Sequence, residues 1–132
     1  NLKWISRSSI PSEDEIFFQQ VIKTLESERE NTYLITHYQF FSTVLDKNFY
    51  LLNRWYIWDN NSHPTENHKY FNYYKEFVLR NFEEKEIKVI YLIGEKNEFN
   101  YENIKNYFDD KCFDQKKIVN KRFIKLSLKN CI

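Results

Sequence analysis

The chain has 132 residues, 20 of them basic and 19 acidic, for a formal net charge of +1. That length makes one domain able to bury a real core, and mixed charge argues against nucleic acid as the main partner, which asks for a clustered basic surface. Aromatic residues make up 19% of the chain, glycine occurs once and methionine not at all. Lys, Asn, Ile, Phe and Tyr are the residues of A/T-rich codons, so the aromatic load is not in itself the mark of a binding site.

The opening Asn-Leu-Lys-Trp lacks an initiator methionine, which predicts a processed product or a piece of a longer polypeptide. It is not a signal peptide, because no apolar core follows Lys3. No window is apolar for the roughly 20 residues that span a bilayer. The nearest, Asn31–Leu45, carries Thr, His, Gln and Ser.

Residues 1–11 read as a lead-in and 12–132 as a single α/β domain. Ser12 with Glu15 predicts a capping box, and Glu13, Asp14 and Glu15 suit the positive end of a helix dipole. Ile16, Phe17, Val21, Ile22 and Leu25 recur at helical spacing and predict its buried stripe. Thr32–Tyr38 is rich in β-formers and predicts the first strand. A short helix over Gln39–Lys47 follows, then a second strand over Phe49–Ile57 and a polar loop from Asp59 to Pro64. Thr65 is the expected cap of a long helix to about Lys85, with Tyr70, Phe71, Tyr74, Phe77, Val78 and Phe82 inward.

Ile87–Gly94 is a nearly continuous β-branched run that ends on the only glycine. A continuous apolar run between helical patterns predicts a central strand buried on both faces. A short helix carrying Ile104, Tyr107 and Phe108 comes next, capped from Asn97–Asn100. A polar connection over Asp109–Lys117 leads to an alternating edge strand over Lys121–Leu128, whose lysines would discourage pairing with other chains. Strands separated by helices predict a small three-layer α/β/α sandwich, Rossmann-like, with about four mostly parallel strands. The direction of the last strand stays open.

Ligands of such sheets bind beyond the carboxyl ends of the strands. Those ends carry Thr36, His37, Tyr38 and Gln39, then Trp58 and Asp59, then Gly94 and Glu95. His37 with Asp59 or Glu95 would form an acid–base pair, although no nucleophile accompanies them; a histidine hydrogen-bonded at a strand end is the plainer account. No GxGxxG or GxxxxGK[ST] occurs, and one glycine cannot build such a loop, so no cofactor is expected. His63 and His68 lack further ligands at zinc spacing. They read as exposed loop histidines, and no metal is expected.

Arg54, Trp55, Tyr56 and Trp58 precede the polar loop and would offer a stacking surface for a sugar or a membrane interface; core packing fits the same residues. Lys116, Lys117, Lys121, Arg122, Lys125 and Lys129 read as a solvated edge. Cys112 and Cys131 fit either two free thiols or a disulfide, the latter contributing about 3 kcal/mol in an oxidising compartment.

Thr36-His37-Tyr38-Gln39, Arg54-Trp55-Tyr56 before a loop ending in Pro64, the aromatic helix, Ile87–Ile93, Cys112 and the terminal Lys-Asn-Cys occur in an order that resembles a known family. It is the soluble carboxyl-terminal domain of multi-spanning bacterial glycosyltransferases of the dolichyl-phosphate-mannose-mannosyltransferase type. The resemblance covers roughly residues 12–132. It implies a non-catalytic accessory domain on the extracytoplasmic face of a bacterial membrane, with a disulfide between Cys112 and Cys131. The family's catalytic acid lies between membrane helices, outside this chain, so no catalytic residue is carried over. The partner implied is the membrane-embedded part of the same polypeptide. Arg54, Trp55, Tyr56, Trp58 and Gln39 are then candidate contacts with that part or with a saccharide acceptor. Two other functions fit the residues: a self-standing enzyme using His37, and a protein–protein interaction domain anchored on Trp55 and Trp58.

Overall fold

A computed structural model describes residues 10–51, 63–94, 102–108, 112–119 and 122–129 of the chain. Its elements are α1 (Pro11–Ser27), β1 (Thr32–Thr36), α2 (Phe41–Leu45), α3 (Phe71–Glu84), β2 (Val89–Ile93), α4 (Glu102–Lys105), β3 (Phe113–Val119) and β4 (Phe123–Leu128). The chain is an α/β protein. No helix among the described residues is long and apolar enough to cross a membrane.

The sheet runs in the order β1-β2-β4-β3. Among the four strands described, β1 and β2 pair in parallel, and β4 is antiparallel to both β2 and β3. The expectation of a mostly parallel, Rossmann-like sheet is therefore corrected to a mixed one. The physical reason is the short connection between β3 and β4, since a parallel return needs a crossover of about a dozen residues or more. β3 runs in the same direction as β2, and the hairpin then folds β4 back into the gap between them.

Three other expectations change with this topology. β4 lies inside the sheet rather than at its edge, and the edge strand β3 is formed by part of the stretch expected as a polar connection. The strand expected over Phe49–Ile57 is represented by Tyr50, which makes one parallel bridge to Tyr33 on the outer side of β1. Tyr50 donates its N–H to the Thr32 carbonyl at 2.9 Å and accepts from the Leu34 N–H at 3.0 Å. Residues 52–57 lie outside the described residues.

Every residue of β1 and β2 is buried. Alternate side chains enter two separate clusters, so a continuous apolar run is what this position demands. Tyr33, Ile35, Ile90 and Leu92 pack with Phe71, Val78 and Phe82 of α3 and with Ile104 and Tyr107. Leu34, Val89, Tyr91 and Ile93 pack with Phe17, Phe18, Val21 and Leu25 of α1 and with Phe41 of α2. Complete burial of a side chain such as Leu92 or Ile93 contributes about 1.5–3 kcal/mol.

Helix α1 begins one residue earlier than the proposed Ser12 cap. Pro11 occupies its first turn, and the N-cap, Ile10, makes no side-chain cap bond. Proline suits that position because its missing N–H would have no helical partner. Phe18 takes the inward place expected of Ile16, which is exposed. At the other end the Lys47 ammonium donates to the carbonyls of Leu25, Glu26 and Glu28 and closes the helix terminus. Helix α3 starts at Phe71, six residues after Thr65, because residues 66–70 form tight turns. Tyr70 is consequently exposed.

Asp46 and Glu86 follow helices with φ of 47° and 49°. Helix ends of this kind normally use glycine, and the chain's one glycine is at position 94.

Candidate functional site

The first turn of α1 lies at the carboxyl end of the β1–β2 pair, where ligands of α/β sheets bind. Gly94 ends β2 and meets Arg122, which leads into β4. The Gly94 N–H donates to the Arg122 carbonyl at 3.0 Å, and Arg122 Nε donates back to the Gly94 carbonyl at 3.2 Å. Arg122 Nη2 donates to Asp14 Oδ1 at 3.1 Å, with both side chains less than a tenth exposed. The guanidinium also stacks 3.9 Å from the Phe17 ring centroid. Buried charges persist when paired and hydrogen-bonded, and Arg122 has both kinds of partner.

At the end of β1, Thr36 Oγ1 accepts the Tyr38 N–H at 3.0 Å and the Thr36 carbonyl accepts Gln39 Nε2 at 2.9 Å. The Gln39 N–H donates to the His37 carbonyl at 3.1 Å, so the segment turns tightly and leaves the His37 side chain exposed. Gln39 is thus a turn-stabilising residue at the expected position. Asp59 and Glu95, the proposed acid–base partners of His37, lie outside the described residues, as do Arg54, Trp55, Tyr56 and Trp58.

The two loop histidines divide. His68 is exposed and its Nδ1 accepts the Tyr70 N–H at 3.3 Å. His63 is buried instead, which corrects the expectation of an exposed loop side chain. Its Nε2 lies 3.3 Å from the Tyr33 hydroxyl, and its ring meets the Tyr74 and Tyr107 rings edge-on at 6.0 Å. The next residue, Pro64, accepts the Tyr107 hydroxyl at 2.6 Å. Burial lowers the His63 pKa to about 4, so the imidazole is neutral near pH 7. Among the described residues no group of three or more His, Cys, Asp or Glu side chains could hold a metal ion.

No protein-family model, curated protein or solved structure matches this chain.

A second polar cluster lies on the α1 side of the sheet, away from Gly94. Glu28 follows α1 and accepts Lys125 Nζ at 2.6 Å and the Tyr91 hydroxyl at 2.7 Å. Burial works against its charge, but the bonds from Lys125, Tyr91 and the Glu30 N–H prevail and bring its pKa to about 2. Burial, reinforced by the bond to Glu28, raises the Tyr91 pKa. Lys125 is therefore half of a partly buried ion pair rather than a guard on a sheet edge. Lys129 remains on the surface, 2.7 Å from Asp114.

The outer side of α1 holds an apolar groove of about 620 Å³, with Pro11, Phe18, Ile22 and Phe40 as its apolar lining and Ser12, Glu15 and Gln19 beside them. Phe18 anchors it through edge-on contact with Tyr38 at 4.8 Å and Phe40 at 5.6 Å.

Sequence reasoning missed Asp14, Arg122, Glu28 and Lys125. Asp14 had a signal, since it stands one helical turn before Phe17 and Phe18, on the apolar stripe, where a carboxylate needs a buried partner. Cys112 is buried and disulfide-bonded. Cys131 lies outside the described residues.

Proposed function

We propose that this chain is a non-catalytic accessory domain of a membrane-bound glycosyltransferase of the dolichyl-phosphate-mannose-mannosyltransferase type, carried on the extracytoplasmic face of a bacterial membrane. The observation that supports a non-catalytic role is the buried Asp14–Arg122 pair. It stands at the sheet end where a reaction centre would form, and its two charged groups are spent on holding α1, β2 and β4 together. Arg122 reaches a backbone carbonyl and a carboxylate of its own fold, which is the behaviour of a structural clamp.

The disulfide at Cys112 supports an oxidising compartment, since such bonds persist outside the reducing cytosol. Helix residues on both faces of the sheet support a three-layer α/β/α sandwich. The partner in this proposal is the membrane-embedded part of the same polypeptide, with the saccharide acceptor as a second contact. The resemblance in the order of the Thr36–Gln39 turn, the aromatic α3, β2 and Cys112 underlies the family assignment.

The test is transfer from a lipid-linked sugar donor, measured with this chain alone and with the membrane-bound parent polypeptide, each with and without His37→Ala. The proposal expects no transfer from the chain alone and unchanged transfer by the parent carrying His37→Ala. Turnover by the chain alone that is lost with His37→Ala would overturn it and make His37 the centre of a self-standing enzyme.

A further inference from the structure

We draw no further inference here: the strongest candidate, the apolar groove that the outer side of α1 forms with Phe40, carries nothing because nothing in the structure shows what covers it.

Discussion

Arg122 and Asp14 stand 108 positions apart in the chain and form a buried ion pair at 3.1 Å. The pair joins α1 to the start of β4. With the Gly94 carbonyl as its third member, it closes one end of the sheet.

Removing one partner takes the counter-charge away from the other, buried one, a change that costs about 3–5 kcal/mol. Asp14→Asn and Arg122→Met are each expected to lower unfolding stability by that order in urea titrations. The double variant Asp14→Leu with Arg122→Met is expected to recover most of the loss, because an apolar pair of similar volume is often neutral. Single variants within about 0.5 kcal/mol of the parent, the range of ordinary surface changes, would show that the pair contributes little.

His63 sets the pH response of the aromatic cluster around Tyr33, Tyr74 and Tyr107. Its pKa is about 4 in the fold against 6.5 in the free side chain, so the unfolded chain binds the proton more readily. Stability is whole above pH 6.5 and declines as the pH falls toward 4, by about 3 kcal/mol in total at 1.36 kcal/mol per unit. Unfolding measured across that window should flatten in His63→Gln. An unchanged slope would contradict the assignment.

Glu28 acts lower on the scale. Its carboxyl titrates at about 2 rather than 4.5, so the stability it contributes is present above pH 4.5 and lost as the pH falls toward 2. Lys125→Met removes the 2.6 Å bond and should move the Glu28 titration upward when followed by carboxyl NMR. A titration that stays in place would show that Lys125 does not hold the charge.

The elements most legible in the sequence were those in which one physical demand ruled. β2 was readable because burial on both faces requires an unbroken apolar run, and α1 because its inward positions repeat every three to four residues. β3 was not, because Asp114, Gln115, Lys116 and Lys117 have the composition of a loop. Pairing with β4 makes them a strand, and that pairing is non-local information. The alternation of β4 was correct, but its position inside the sheet depends on the same hairpin. His63 sits among Asn, Ser and Pro, the usual marks of an exposed loop, while the aromatic cluster that buries it comes from three distant segments. Of the candidate site, the place of Thr36 at the end of β1 was legible, but the turn over His37–Gln39 was expected as the end of the strand and the start of a helix, and the Asp14–Arg122 pair needed the sheet order to bring its two ends together.

Glu86 holds a left-handed backbone at φ 49° with a side chain that disfavours it. That conformation costs a non-glycine residue roughly 1–2 kcal/mol. Glu86→Gly should stabilise the fold by about 0.5–1 kcal/mol after the greater chain entropy of glycine is counted. Thermal unfolding reads this directly, and a lowered midpoint would show that Glu86 makes a compensating contact.

The proposed role as one part of a membrane transferase is tested most directly by the nucleotide sequence of the reading frame upstream of Asn1, read for hydropathy. The account predicts several apolar stretches of about 20 residues each, with charge asymmetry that places this domain outside the cytoplasm. An initiation codon immediately ahead of Asn1, with no such stretches, would contradict it.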